Sequence, residues 1–438
     1  MRTKYNFLAI IVGILSVNQM YGQTDGTYTL DQAIQSALNN NFQIAILENN
    51  IEIADNNVHV GNAGLLPTVS ATGSYSYSVT SSQQVFNGNF PAVDVDNAGA
   101  SNVTASANLN YTLFNGLSGW NNFQKLKVSK SAVDAQSKAA IEAIVIQVSE
   151  TYLSLQRAQD QLGISEKHLA ISQKRYERVE VSHSLGGNVR TELLNAQVTL
   201  TADSSQLLQA EMSEQTFRTL LSRLIGAEVP GSGLANTDLE LRTWTLDELL
   251  ALAKQNNAAY TGALLQSELA EADLKISNGA IMPSLSLSAG YGYNQSVNDV
   301  GILLENTSLG PNGALSLNIP IFSGMRNNIQ RQNLRIAVES AQLSEQDTWS
   351  GLQADIDNAL LAYNQNMKLY LLESNNIKAA EANLERSGEL FKAGQITNTQ
   401  FREAQLSLAQ TSDRISASKV NVLRSELTIL RLIGALLS

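Results

Sequence analysis

The sequence predicts a mainly α-helical chain carrying four membrane-type β-strands, built as two copies of one unit of strands followed by a helical hairpin. Three observations carry that prediction. The chain repeats itself in register, each copy holds two stretches in which small or apolar residues alternate with hydroxyl residues, and each copy then turns to a helical period sustained over about 60 residues.

The first element is a leader. Arg2 and Lys4 precede the apolar run LAIIVGILSV from Leu8 to Val17, and Gly22 suits a cleavage site, so residues 1–22 are expected to form a signal peptide. That run is too short to span a bilayer as a helix, which takes about 20 apolar residues. No second such run follows, and hydrophobic residues make up 43% of the chain, so a helical membrane protein is excluded. A β-barrel is not, because its strands need only about 9–11 residues and alternation hides them from hydropathy. The chain has no Cys, which removes disulfides, thiolate metal sites and a lipid anchor on an N-terminal Cys. Its net charge of -11 argues against nucleic acid as a partner, since phosphate contacts demand a basic footprint.

The duplication comes next. TLDQAIQSALNNN from Thr29 matches TLDELLALAKQNN from Thr245 at an offset of 216, which also carries Pro67 onto Pro283, Tyr75 onto Tyr291 and Tyr77 onto Tyr293. Farther along the offset falls to 208, pairing Phe114 and Gly116 with Phe322 and Gly324, Gly186 with Gly394, and Ile225-Gly226 with Ile433-Gly434. A solenoid would repeat more often and at shorter periods. The two copies are expected over 23–230 and 231–438.

Within each copy a short helix opens after Thr-Leu-Asp, where Thr29 or Thr245 is placed to cap, and a second helical stretch leads to the proline. Strands are expected over about 68–80 and 103–114, then over about 284–295 and 313–322. The polar, Gly- and Asn-containing linkers 81–102 and 298–313 read as exposed loops. Long helices follow over about 120–183 and 325–391, with Ile141, Val145, Val148, Tyr152, Leu155 and Leu162 on a 4-3 spacing in the first and Leu352, Ile356, Ala359, Tyr363 and Tyr370 repeating it in the second. Returning helices are expected over about 189–226 and 397–436.

Four strands fit a membrane span but cannot close a barrel, and an open edge cannot face lipid. The protomer must share its barrel with copies of itself. Two copies would give about eight strands and a side-chain-filled interior, whereas three give about twelve and leave a lumen, the better match to heptad-patterned helices of such length. On this reading the Val, Ala and Tyr parity meets lipid and the Ser, Thr and Asn parity lines water. Tyr75, Tyr77, Tyr111, Tyr291 and Tyr293 are expected in an interfacial aromatic girdle.

Catalytic chemistry is not legible. His59, His168 and His183 are scattered, with no HExxH spacing, and there is no phosphate loop, no GxSxG and no nucleophile–base set. No enzyme, metal or cofactor is expected.

The TLD starts, the prolines leading into SYSYS and SAGYGY, the NIPIFSGMRN stretch from Asn318, and the motifs LGGNVRTELLNAQ from Leu185 and KAGQITNTQFREAQ from Lys392 together resemble the TolC-type outer-membrane efflux protein family. The resemblance covers nearly all of the chain after the leader. It implies a homotrimer in the outer membrane of a Gram-negative-type bacterium, with a twelve-stranded β-barrel continuous with a twelve-helix tube through the periplasm. It further implies an exit duct of a tripartite efflux or type I secretion system, passively conducting substrates handed on by a periplasmic adaptor protein and, indirectly, an inner-membrane transporter. By the same likeness Leu185, Gly186, Gly187, Ala393, Gly394 and Gln395 form hairpin tips that meet the adaptor. Family members narrow the tube with acids six and nine residues after the second tip glycine, positions held here by Gln400 and Glu403 and in the first copy by Glu192 and Asn195. One acid is therefore missing from each pair. A three-fold anionic constriction at Glu403, with Glu192, is the expectation that survives. The competing reading is a structural coiled-coil protein of the cell envelope without a pore, its alternating segments soluble hairpins.

Overall fold

The computed structural model describes residues 27–437 apart from 86, 89, 90, 92, 188, 189, 232, 240, 241 and 302, so the leader expected over 1–22 lies outside the described residues. Helices α1 (Leu30–Asn40) and α2 (Phe42–Asn57) precede strands β1 (Thr68–Gln84) and β2 (Val93–Asn115), the 67-residue helix α3 (Ser118–Ser184) and the returning α4 (Arg190–Ile225). The same order then recurs as α5 (Leu246–Asn256), α6 (Ala258–Gly279), β3 (Ser284–Asn298), β4 (Glu305–Asn318), the 67-residue α7 (Arg326–Lys392) and α8 (Asn398–Leu432).

The strands differ from expectation in one consistent way: most of the presumed loops 81–102 and 298–313 are strand. β2 begins ten residues before 103, and β4 runs over Glu305–Asn318 rather than 313–322. Gly99, Gly310, Asn97 and Pro311 look like turn residues, but the ladder absorbs them. The register shifts between Thr80 and Ser82, near Asn97 at φ 55° on the partner strand. Pro311 sits on β4, the outer strand of this four-stranded sheet, and the pairing with β3 runs through it. At its other end β4 stops before Ile319-Pro320, since a second proline cannot extend the ladder. Helix α8 ends four residues short of 436, because Gly434 takes φ 68° and its turn is closed by Ala435 N–H donating to Leu430 O at 2.9 Å. Thr29 caps α1 in a full capping box, as expected. Thr245 does not cap α5 by its hydroxyl, which instead donates to Glu248 Oε2 at 2.7 Å.

The two copies are not the two compact units. One unit gathers the described residues up to Asn50, Asp134–Gly262 and everything from Gln346 onward; the other gathers Ile51–Val133 and Ala263–Glu345. Each takes matching pieces from both copies.

The first unit is helical, and its core is the inward face of α3 against α1, α4 and α8. Val148, Tyr152, Leu155, Leu221 and Ile225 are fully buried there with Ala33 and Ala37. Tyr152, one of the 4-3 positions, also ties down the connecting segments: its hydroxyl lies 2.7 Å from Tyr28 O and 2.9 Å from Ala235 O. Burial first of all pushes that phenol up to about 12. On α7 the matching positions Leu352, Ile356, Ala359 and Tyr363 are buried as well.

The second unit holds the sheet. Its order is β1-β2-β3-β4 with every neighbouring pair antiparallel, so the two copies of the sequence join through β2 and β3. Around its base, Ser118 Oγ donates to Ile276 O at 3.0 Å, Lys125 Nζ lies 2.6 Å from Asp273, and Arg331 Nε donates to Asn278 Oδ1 at 2.8 Å.

Candidate functional site: the two-faced sheet and the hairpin tips

In the sheet, side-chain parity survives pairing across all four strands. Val69, Leu109, Ala289 and Gly313 lie in one row, Ala71, Ala107, Tyr291 and Pro311 in the next of that face, then Gly73, Ala105, Tyr293 and Leu309. The rows between belong to the other face and read Ser70, Asn108, Gly290, Asn312; Thr72, Ser106, Gly292, Gly310; Ser74, Thr104, Asn294, Ser308. On this second face hydroxyls join across strands, Thr72 to Ser106 at 3.0 Å and Ser74 to Thr104 at 2.7 Å. A one-residue slip in any pair would have mixed the two faces.

The apolar face has edges. Going up the strands, it ends at the row of Tyr75, Val103, Gln295 and Thr307, above which lie Tyr77, Ser101, Val297 and Glu305. Here Tyr293 Oη, Gln295 and Glu305 form a polar chain with steps of 3.0 and 2.8 Å. Going down, it ends at Phe114, Leu285 and Leu317, a register shift between Thr112 and Phe114 bringing Phe114 into this row. From Val103 to Phe114 is about eleven residue steps, which at about 3.4 Å each and a tilt of about 45° gives a band about 26 Å tall, the height of a barrel's lipid-facing zone.

The register does not gather the five tyrosines expected in an aromatic girdle into one row. The five tyrosines are spread along the strands by an amount equal to the distance from Ser101 to Tyr111 on β2, because pairing sets Tyr77 beside Ser101 and Tyr291 beside Ala107. Tyr75 and Tyr77 stand at the upper edge, Tyr111 near the lower, and Tyr291 and Tyr293 inside the band.

In the helical unit, both hairpins reverse through the same backbone device. Gly186 and Gly394 adopt φ 79° and 68°, where a side chain is strained. The next residue's N–H reaches back to close the turn, Gly187 to Ser182 O at 2.8 Å and Gln395 to Leu390 O at 2.9 Å. Leu185 stands 82% exposed at the first tip. Beside Ala393, Phe391 and Phe401 stack at 5.0 Å between centroids and 3° between planes, joining α7 to α8 just behind the second tip.

The four constriction positions fare differently. Gln400 is taken up by a capping box, its Oε1 accepting from Thr397 N–H at 2.9 Å, so its side chain is turned back to the helix start, a role that a glutamate would fill equally. Glu403 is exposed on α8, and Asn195 is exposed on α4. Glu192, in the first turn of α4, is half-buried and acts on Arg175, opposing the burial and the Arg402 charge that hold that guanidinium low.

Sequence reasoning missed the strongest tie behind the tips. Arg402, next to Glu403, lies 2.7 Å from Asp203 with both side chains largely buried, fastening α8 to α4. His168 feels the charges of the same pair: burial and then Arg402 hold its imidazole below the usual range, with Asp203 opposing. The partners Asp203 and Arg402 are 199 residues apart, and no local spacing announces them. Among the described residues no His, Cys, Asp or Glu group is arranged to hold a metal, and no helix is long and apolar enough to cross a membrane.

A sheet with one lipid-compatible and one water-compatible face, followed in each copy by a long helical hairpin, defines the class of outer-membrane channels. The chain belongs to the outer membrane efflux protein family, whose model matches residues 33–227 and 249–435. It is 22% identical over 335 residues to the outer membrane protein TolC of Vibrio cholerae serotype O1, covering 73% of this chain and 74% of that one. It is 21% identical over 422 residues to the outer membrane efflux protein BepC of Brucella suis, covering 96% and 88%. Among solved structures, the CmeC outer membrane channel of Campylobacter jejuni superposes with a TM-score of 0.75 at 16% identity, over 95% of this chain and 90% of that one. The protein is thus an outer-membrane efflux channel and not an enzyme.

Proposed function

We propose that three copies of the chain close a twelve-stranded barrel in the outer membrane, continued into the periplasm by a tube of twelve helices, and that this homotrimer is the passive exit duct of a tripartite efflux or type I secretion system. The single observation that carries this reading is the sheet: its apolar face stays in phase over four strands while β1 and β4 each have only one neighbour among the described strands. Such edges leave N–H and C=O groups that lipid cannot satisfy, so the edges of neighbouring protomers must pair. Antiparallel closure demands it as well, because β4 of one copy and β1 of the next run in opposite directions.

The hairpin tips, Leu185, Gly186, Gly187 with Ala393, Gly394, Gln395, are the docking points for a periplasmic adaptor, through which an inner-membrane transporter supplies both cargo and energy. Glu403 and Glu192, flanked by Asn195 and Gln400, form the anionic constriction behind those tips and favour cations. Two measurements test the reading. The detergent-corrected mass by light scattering is expected to equal three protomers; a monomer soluble without detergent sinks the barrel. In planar bilayers, Glu403→Ala is expected to reduce cation preference, and unchanged selectivity removes Glu403 from that role.

A further inference from the structure

Both strand-to-helix junctions of the second unit carry the same unusual feature. At Gly116-Leu117 and Gly324-Met325 two successive residues take positive φ, and the second is not glycine: Leu117 and Met325 both sit at φ 65°. A large side chain in that region is strained, and both of these are exposed, so packing does not explain the choice. They have apolar company. Trp120 is 54% exposed, Phe322 80% and Ile321 95%, so an apolar collar continues the sheet's lower edge onto the first turns of α3 and α7.

A belt of cations follows immediately. Residues 118–133 contain Lys125, Lys127 and Lys130 and no acid, and residues 326–338 contain Arg326, Arg331 and Arg335 and no acid, in a chain whose net charge is -11. Some are spoken for: Lys125 by Asp273 at 2.6 Å and Lys130 by Asp55 at 3.9 Å. Lys127, Arg326 and Arg335 have no carboxylate partner among the described residues. Lys127 and Arg335 occupy matching positions of the two copies, 208 residues apart, so the feature is duplicated with the fold. Lys127 leans back toward the junction, its Nζ 4.6 Å from the centre of the Phe123 ring. Long side chains on a helix point toward its N-terminus, here the end next to the strands. Arg326 also borders an open groove of about 500 Å³ with Gly324, Ile329, Gln330, Asn333 and Leu334.

An apolar and aromatic collar followed within a few turns by unpaired cations is the chemistry of a phospholipid headgroup layer: acyl chains and glycerol against Leu117, Trp120 and Met325, phosphates against the cations. We propose that these junctions bind anionic phospholipids of the periplasmic leaflet, with Lys127, Arg326 and Arg335 as the phosphate contacts. The inference rests on the barrel reading given above.

The test uses the full-length protein reconstituted in phosphatidylethanolamine bilayers with spin-labelled lipids, comparing the motionally restricted fraction of phosphatidylglycerol with that of phosphatidylcholine. The expected result is a several-fold preference for phosphatidylglycerol that falls with added salt and disappears in Lys127→Gln/Arg326→Gln/Arg335→Gln, while the restricted phosphatidylcholine fraction is unchanged. No preference in the wild type, or one that survives in the triple variant, overturns the lipid site while leaving the barrel intact. A variant that loses its trimer shows the cations to be subunit contacts, which also overturns the lipid site. Absence of any restricted lipid means that the barrel reading itself has failed.

Discussion

Two asparagines show at the level of single residues how the duplication is used. Asn41 and Asn257 each follow a short helix and open the next one. Asn41 Nδ2 donates to Leu224 O at 2.7 Å while its Oδ1 accepts from Gln43 N–H at 2.8 Å; Asn257 Nδ2 donates to Leu432 O at 2.9 Å and its Oδ1 accepts from Tyr260 N–H at 2.8 Å. One amide thus caps a helix start and satisfies the end of the returning helix, and both asparagines are buried. Asn41→Ala orphans a buried carbonyl and a helix N-terminus together, so a loss of about 2–3 kcal/mol is expected in denaturant titrations. A buried acid supplies the opposite case. Glu142 on α3 is only 3% exposed, its Oε1 has no hydrogen-bond partner, and Lys138 Nζ is 3.9 Å away. Burial raises its carboxyl above the ordinary value of 4.5, with Lys138 and Arg431 pulling the other way. A raised folded value means that the group's stabilising contribution is full below pH 4.5 and is lost as the pH climbs through the folded value. Glu142→Gln is therefore expected to raise the melting temperature by a few degrees at pH 7 and by much less near pH 4.5. An equal shift at both pH values would show that the carboxyl's charge has no part in it.

At the scale of elements, the sheet makes a sharp prediction because adjacent residues of β1 lie on opposite faces, which on the proposed barrel meet different solvents. Ala71 lies mid-band on the apolar face and Thr72 on the hydroxyl face. Arginine near the middle of a lipid-facing strand costs about 2–4 kcal/mol, whereas one that reaches a water-filled lumen costs far less. Refolding into lipid vesicles, followed by the heat-dependent gel shift of folded barrels, should show Ala71→Arg strongly impaired and Thr72→Arg close to wild type. The reverse order would mean that the faces have been assigned the wrong way round. This alternation was legible in the sequence because period two needs no tertiary information, and so were the long helices, whose 4-3 positions such as Val148 and Tyr152 became the core. Strand length was not legible, since residues such as Gly99 and Pro311 signal turns locally and only pairing with a neighbour overrules them. Nor was the Asp203–Arg402 tie, which depends on α4 and α8 lying side by side. Gln400 illustrates a different limit: the sequence marks a missing acid, and only the structure shows that the side chain there closes a capping box with Thr397.

At the scale of the whole molecule, the open edges decide the assembly. Within one chain β1 and β4 are separated by two strands, roughly three spacings of about 4.8 Å or 14 Å, which is twice the largest Cα separation that a disulfide can bridge. A disulfide between these strands must therefore join two chains. Because the protein contains no native cysteine, introduced pairs report without background. β1 runs away from the helices and β4 runs back toward them, so the helix-proximal half of one should lie against the helix-proximal half of the other. Ser316 and the trio Ser70, Thr72 and Ser74 all sit on the hydroxyl face. A barrel's stagger sets which of the three stands opposite Ser316, and shifts of two residues keep the faces matched. Ser316→Cys combined in turn with Ser70→Cys, Thr72→Cys or Ser74→Cys should give, for one or two of the pairs, an oxidised ladder on denaturing gels that ends at three chains. Thr80→Cys with Ser316→Cys should give none. A ladder ending at two chains would mean an eight-stranded barrel, one running past three would mean open polymerisation of the edges, and strong crosslinking through Thr80 would mean that neighbouring copies do not pair as antiparallel strands.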